Sequence, residues 1–213
     1  MTVPNLGPAH PPAAEVRILA LGDSYTIGEG VAETDCWPVR LADMLRARGL
    51  NTPTPKIIAR TGWTTDELSA AIDAAHLDSN YDLVTLLIGV NNQYRGRSEE
   101  EYRAQFRALL DRATAFARGE AGRVIVVSIP DWSATPFATG RDRPAVARAI
   151  DRFNAVNREE TSRAGAHYAD VTPISRRAAG DASLVAADGL HPSSTMYLAW
   201  LDMIVPVALR IVS

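Results

Sequence analysis

The chain has 213 residues, of which 46% are hydrophobic and 22% charged, a composition typical of a globular protein. The net charge is −3, so the composition shows no excess of basic residues that would indicate nucleic-acid binding. The single cysteine, Cys36, excludes an intramolecular disulfide and a cysteine-rich zinc site. No stretch reaches about 18 continuous apolar residues, so stable membrane insertion is not expected.

Residues 1–15 are predicted to form a flexible N-terminal tail, because they contain four prolines and no apolar core of a secretory signal. Residues 16–213 show neither an internal repeat nor a linker, which predicts a single domain. A cytoplasmic location is the simplest expectation, although a removed leader would leave the same sequence. The sequence does not determine the oligomeric state.

Short apolar runs then alternate with helical patterns. The first run, VRILAL at 16–21, is continuous and branched, as expected of a strand buried on both faces. Asp35 is predicted to cap the first helix, and KIIA at 56–59 to form the second strand. Thr64 and Glu67 have the spacing of a capping box, which predicts the start of the second helix.

The second half of the chain repeats this alternation. Further strands are predicted at 82–90, 123–129 and 166–171. Ser98 and Glu101 form a second capping box ahead of a long amphipathic helix. A final helix is predicted from about Ser193 to Ile211, kinked or broken near Pro206. Five short strands alternating with helices predict a parallel sheet covered on both faces, with right-handed crossovers.

Polar residues follow these strands at their carboxyl ends, where ligands bind in open parallel sheets. The segments at this edge are Gly22-Asp23-Ser24, Arg60-Thr61-Gly62-Trp63, Gly89-Val90-Asn91-Asn92, the loop 130–144 and DGLHP at 188–192. A serine, a glycine, an amide and an Asp–His pair therefore fall on one edge of the sheet.

Such a set of residues supports acyl transfer. The hydroxyl of Ser24 is a weak nucleophile that needs an adjacent base, and His191 can serve as that base. Asp188, three residues earlier, would fix the tautomer of the imidazole. The backbone N–H groups of Ser24 and Gly62 and the side-chain amide of Asn91 are candidate donors to the oxyanion.

The stretch ILALGDSYTIGEG allows three interpretations of Ser24: a nucleophile, part of a phosphate-binding turn, or an ordinary strand-to-helix connection. A phosphate loop is disfavoured because neither Gly-Lys-Ser/Thr nor Gly-x-Gly-x-x-Gly occurs there.

Other polar residues are expected to have structural roles. The Asp23 side chain is expected to form hydrogen bonds with the backbone of the nearby loop. The pair His167 and Asp170 is placed at the wrong edge for catalysis, and the dispersed histidines form no recognisable metal site.

Together these stretches resemble the four sequence blocks of the SGNH hydrolases, also called the GDSL esterase and lipase family. GDSYTIGEG resembles the first block, with Ser24 as nucleophile and first oxyanion donor, and RTGWTT the second, with Gly62 as donor. GVNN resembles the third block, with Asn91 as donor, and DGLHP the last, with Asp188 and His191. The resemblance implies a flavodoxin-like three-layer α/β/α sandwich that hydrolyses esters or thioesters without a cofactor.

Two positions depart from the family pattern. Tyr25 replaces the leucine of the GDSL signature, a change expected to lie outside the chemistry. Asn92 replaces the aspartate that usually follows the oxyanion asparagine, so the support of that loop is expected to differ.

Aromatic residues at the same edge are candidate walls of a substrate pocket. They are Trp63, Tyr94, Trp132 and Phe137. Arg95, Arg141 and Arg143 are interpreted as solvated surface residues, or as contacts to a polar leaving group. The loop 130–144 is long enough to form a partial lid.

The sequence thus predicts a serine esterase for short-chain acyl esters, with a small-molecule ester as partner and no metal or cofactor. Carbohydrate acetylesterase, lysophospholipase, thioesterase and acyltransferase activities are the alternatives within this chemistry. A flavodoxin-like module that binds a sugar or nucleotide without catalysis is the rival from another class.

Overall fold

Five parallel strands form one sheet in the order β2-β1-β3-β4-β5. The computed structural model describes residues 14–213, so the predicted tail lies outside the described residues up to residue 13. The strands are β1 Ile18–Asp23, β2 Lys56–Arg60, β3 Leu83–Leu87, β4 Val124–Val127 and β5 His167–Ala169. The predicted parallel sheet is confirmed, and its strand order is that of flavodoxin-like folds.

Helices cover both faces of this sheet. They are α1 Ser24–Ile27, α2 Trp37–Arg46, α3 Thr65–Ala74, α4 Val90–Tyr94, α5 Glu99–Phe116, α6 Arg143–Ala164, α7 Thr172–Ser175 and α8 Ser194–Val212. Helix α2 packs on α8, whereas α5 packs between α3 and α6. The result is the three-layer α/β/α sandwich expected from the resemblance.

The hydrophobic core lies on both sides of the central strands. Every side chain of β1, β3 and β4 is buried, which explains why these strands read as continuous apolar runs. Strand β2 lies at the edge of the sheet, and its side chains are only partly buried or exposed.

Two of the predicted helix caps are confirmed and one is wrong. Thr64 and Glu67 form the expected capping box at α3, and the Ser98 side chain accepts a hydrogen bond from the Glu101 N–H at the start of α5. Helix α2, however, begins at Trp37 rather than at a cap on Asp35. The Asp35 carboxylate instead pairs with Arg40, so it is not available to the helix N–H groups.

Helix α8 runs without a break through Pro206, so of the two expected outcomes, a kink or a break, the break does not occur. Proline leaves the carbonyl of residue i−4, here Asp202, without its helical partner. Both residues are exposed, so water can satisfy that carbonyl. Among residues 14–213, α8 alone has the length and composition of a membrane-crossing helix, but its face with Trp200 and Ile204 packs in the core, and core helices share these properties.

Candidate active site

Ser24 is the first residue of α1 and follows β1 directly. The side chain of Asp23 caps this short helix by accepting a hydrogen bond from the Tyr25 N–H at 3.1 Å, the structural role expected for it. Gly28 ends the helix with a φ of +79°, in the left-handed region that glycine favours. The serine therefore lies on a tight strand-to-helix turn at the carboxyl edge of the sheet.

Asp188 and His191 form a compact hydrogen-bonded unit in the loop before α8. The Nδ1 atom of His191 lies 2.6 Å from Asp188 Oδ2, while Asp188 Oδ1 accepts bonds from the N–H groups of Leu190 and His191 at 2.9 and 3.0 Å. Burial raises the pKa of Asp188, but these hydrogen bonds outweigh it, and the pKa lies below its usual value. An ionised carboxylate only accepts, so Nδ1 carries the proton and Nε2 keeps its lone pair.

Gly62 and Asn91 meet at the turn after β2. The turn is closed by a bond from the Trp63 N–H to the Arg60 carbonyl, and Gly62 at its third position has a φ of +84°, as in a type II turn. The Asn91 Nδ2 atom donates one N–H to the Trp63 carbonyl at 2.9 Å. Its second N–H is left for a ligand.

One pocket brings four of the five predicted catalytic and oxyanion residues together. Its polar lining consists of Ser24, Thr61, Gly62, Asn91 and His191. Its apolar lining consists of Tyr25, Val90, Tyr94, Trp132, Phe137 and Leu190. Asp188 does not line the pocket and is linked to it through its bond to His191. The pocket has a volume of about 170 Å³, below the ~300–1,000 Å³ of drug-sized ligand sites, so it accommodates a small ligand group.

Three of the four predicted aromatic residues form one wall of this pocket. The ring of Tyr94 lies 5.6 Å from that of Trp132 and 6.3 Å from that of Phe137, and the latter two are 5.9 Å apart. Trp132 is fixed by a bond from its Nε1 to Gln93 Oε1 at 2.9 Å. Trp63 does not line the pocket, because its side chain packs against the hydrophobic core.

The loop 130–144 is anchored along most of its length. Arg143 donates to the carbonyls of Ser133 and Thr135, so it is neither a solvated arginine nor a contact for a leaving group. The buried carboxylate of Asp131 pairs with Arg176 at 2.8 Å. These contacts anchor both ends of the loop, and its residues Trp132 and Phe137 line the pocket; its role as a partial lid stays a prediction.

Two functional positions were undervalued at the level of sequence. The buried ring of Tyr25 packs edge-on against His191, with centroids 5.6 Å apart, and it lines the pocket. Asn92 is fully buried, where its Oδ1 accepts from the Thr65 N–H and its Nδ2 donates to the Thr65 hydroxyl. Both positions stood out as departures from the family pattern, which was the only available signal.

The other sequence-level acid–base pair, His167 with Asp170, does not line the pocket. His167 begins β5 at the opposite end of the strand, and Asp170 pairs with Arg158. Within residues 14–213, no group of three or more His, Cys, Asp or Glu side chains is arranged to hold a metal ion.

Comparison with known proteins identifies the family of this chain. The model of the GDSL-like lipase/acylhydrolase family matches residues 20–199, a range that includes Ser24, Gly62, Asn91, Asp188 and His191. The chain belongs to this family. A catalytic triad and an oxyanion hole are typical of GDSL hydrolases. No curated protein sequence was found to match the chain.

Solved structures of other GDSL-type enzymes share the fold. The acetylxylan esterase Axe2 from Geobacillus stearothermophilus is 18% identical with a TM-score of 0.69, over 92% of this chain and 94% of Axe2. The psychrotrophic esterase EstA from Pseudoalteromonas sp. is 18% identical with a TM-score of 0.66, over 92% and 97%. Phospholipase A1 from Streptomyces albidoflavus NA297 is 20% identical with a TM-score of 0.64, over 93% and 100%. At these identities the likeness shows the fold alone.

Proposed function

We propose that this GDSL hydrolase is a serine esterase that cleaves short-chain acyl esters through an acyl-enzyme intermediate. The observation that carries the proposal is the single pocket lined by Ser24, His191, Gly62 and Asn91, with Asp188 bonded to the histidine. A nucleophile, a base and two donor groups thus face one volume, which is what acyl transfer requires.

In the first half of the proposed reaction, Ser24 Oγ attacks the ester carbonyl while His191 Nε2 accepts its proton. Asp188 stabilises the imidazolium that forms. The carbonyl oxygen becomes an oxyanion, which the Ser24 N–H, the Gly62 N–H and the free N–H of Asn91 would bind. The proton passes from His191 to the departing alkoxide, and the serine remains acylated.

In the second half, His191 takes a proton from water and the resulting hydroxide attacks the acyl-serine. The same three donors bind the second tetrahedral oxyanion. Collapse of this intermediate releases the carboxylic acid and returns the proton to Ser24 Oγ. An alcohol in place of water would give acyl transfer, because only the second nucleophile differs.

The preference for short acyl groups rests on the size of the pocket and on the fixed position of Trp132. Trp132 is buried and its Nε1 is hydrogen-bonded to Gln93, so this side of the small pocket has no room to extend for a long chain without displacing the tryptophan. The rings of Tyr94 and Phe137 are exposed at the mouth and could stack on a sugar. Deacetylation of a carbohydrate is therefore the second candidate, and the name of Axe2 is consistent with it.

The proposal is tested with p-nitrophenyl esters from acetyl to palmitoyl and with acetylated xylose, on the wild type and Ser24→Ala. We expect the wild type to be fastest on acetyl to hexanoyl esters and the variant to lose activity by at least about 10³-fold. Faster turnover of acetylated xylose than of any aryl ester would favour the second candidate. A folded wild type that cleaves none of them would support the non-catalytic binding module instead.

A further inference from the structure

Three residues in or just after the short helix α4 hold the segment that follows β2. Asn91 bonds the Trp63 carbonyl and Asn92 bonds the backbone and side chain of Thr65. Arg95, at the end of the same helix, donates from Nη2 to the Gly62 carbonyl at 2.6 Å. Asn91 and Asn92 belong to the stretch GVNN, which resembles the family's third sequence block, whereas Arg95 lies three residues beyond that stretch.

The guanidinium of Arg95 is fixed although it is 43% exposed. Its Nη1 atom lies 3.3 Å from Glu67 Oε1, and Glu67 is itself held by the N–H and hydroxyl of Thr64 in the capping box of α3. Arg95 therefore bridges the turn and the first turn of α3. A solvated arginine, as the sequence suggested, would have no such pair of partners.

Few atoms from outside the turn pack against the Cα of Gly62. A Cβ atom built on Gly62 would meet a single atom within 4 Å outside its chain neighbours, and that atom is Arg95 Nη2 at 3.8 Å. Glycine is also the residue with the widest range of backbone conformations. The bond from Arg95 fixes the peptide plane that follows Gly62, and the bond from the Trp63 N–H to the Arg60 carbonyl closes the turn. Together these two bonds limit rotation of the peptide that carries the Gly62 N–H.

We propose that Arg95 is a positioning residue of the oxyanion hole, which aims the Gly62 N–H by fixing the Gly62 carbonyl. This inference rests on the proposed esterase function. Arg95 acts through the backbone of Gly62 and not on the substrate. Removing the Arg95 side chain should therefore reduce stabilisation of the transition state without weakening substrate binding. The reduction should be the same factor for every leaving group.

The test compares Arg95→Ala and Arg95→Lys with Arg97→Ala. Arg97 is the matched control because it is two residues further on and pairs with Asp66 and Glu101 rather than with the turn. Each variant is assayed with phenyl acetate and p-nitrophenyl acetate, which share the acyl group and differ in the leaving group. Urea unfolding midpoints establish that all three variants are folded.

We expect Arg95→Ala to lower kcat and kcat/KM about 10-fold on both esters and to leave KM within about 2-fold of the wild-type value. This loss is smaller than the ~10²–10³-fold loss of kcat that follows deletion of an oxyanion donor, because the Gly62 N–H is still present. Arg95→Lys should recover part of the loss, because an ammonium can still donate to the Gly62 carbonyl, and Arg97→Ala should resemble the wild type.

Wild-type kinetics in folded Arg95→Ala would overturn the inference and leave the esterase proposal intact. A loss that appears in KM, or that differs between the two leaving groups, would also overturn it, because Arg95 would then contact the substrate. An inactive wild type would contradict the esterase proposal itself and this inference with it.

Discussion

Gly30 lies against the carboxylate of Asp188, on the loop that follows α1. A Cβ atom at Gly30 would lie 3.3 Å from Asp188 Oδ2 and 2.8 Å from the Cβ of Ala186. Oδ2 is the oxygen that bonds the His191 ring. The backbone φ of Gly30 is +83°, so any other residue here would adopt a strained backbone conformation in addition to these close contacts. The second glycine of TIGEG thus makes room for the proposed catalytic acid.

We expect Gly30→Ala to lower kcat/KM for p-nitrophenyl acetate by at least about 10-fold, because the added methyl displaces Ala186 and the Asp188 carboxylate and misaligns His191. Gly49→Ala is the matched control: its φ of +86° gives the same backbone strain, and its Cβ would meet no atom within 4 Å. It should lose stability but keep its kcat/KM per folded molecule. Full activity of folded Gly30→Ala would show that the contact does not matter.

The proposed catalytic residues could be predicted from sequence because strand ends and motif spacing place residues at one edge of the sheet. Ser24, Gly62, Asn91 and His191 do line one pocket. Side-chain direction could not be predicted in the same way. Trp63 neighbours Gly62 in sequence yet turns into the core, because consecutive residues of a turn point in different directions.

At the scale of elements, Asn92 joins α4 to the start of α3. Its amide satisfies the buried N–H of Thr65, and the Thr65 hydroxyl bonds Gln105 on α5. An aspartate, the usual residue here, could accept from the N–H and the hydroxyl but could not donate to Thr65. The asparagine therefore leaves the hydroxyl proton for Gln105 and ties three helices together.

We expect Asn92→Ala to lower the free energy of unfolding by about 1–3 kcal/mol, because the Thr65 N–H loses its partner in a buried site. Asn92→Asp keeps an acceptor for that N–H and should cost less than Asn92→Ala. Urea unfolding of the three proteins measures the difference. An Asn92→Ala variant as stable as the wild type would show that the link is not a structural support.

The major elements were predictable because apolar periodicity and capping boxes extend over whole strands and helices. The short helices α1, α4 and α7 were not, because four or five residues are too few to show a helical period. The anchoring of the loop 130–144 was also missed. Its anchors, such as the pair of Asp131 with Arg176, join residues 45 positions apart and leave no local pattern.

At the scale of the whole molecule, Asp23 is a fully buried acid at the centre of the fold. Desolvation by burial raises its pKa from 3.8 to about 7, more than the bonds from the Tyr25 and Asp23 N–H groups lower it. Its Oδ2 atom has no hydrogen-bond partner. The folded state keeps this proton up to about pH 7, whereas the unfolded chain releases it near pH 3.8.

Between these two pH values the folded state binds more protons than the unfolded state. Asp23 therefore makes the free energy of unfolding fall as the pH rises, by up to about 1.4 kcal/mol per pH unit. We expect Asp23→Asn to remove that slope, because asparagine keeps the acceptor for Tyr25 without a charge. Urea unfolding of both proteins at pH 5 and pH 7 gives the comparison. An identical pH dependence in the two proteins would show that Asp23 does not titrate in this range.

The strand order 2-1-3-4-5 reverses direction at β1, and the crevice between β1 and β3 is where such sheets bind ligands. Ser24 follows β1 and Asn91 follows β3, so the fold brings the two residues to that crevice whatever their distance in sequence. We expect Ser24 at this crevice to be a nucleophile that His191 activates.

The measurement that tests this claim most directly is labelling of the folded protein with an ethyl fluorophosphonate probe, followed by peptide mass spectrometry. We expect one phosphonyl adduct, on Ser24, formed more slowly in His191→Ala and absent from Ser24→Ala. Folded wild type that takes up no label, or that carries it on another serine, would contradict the account.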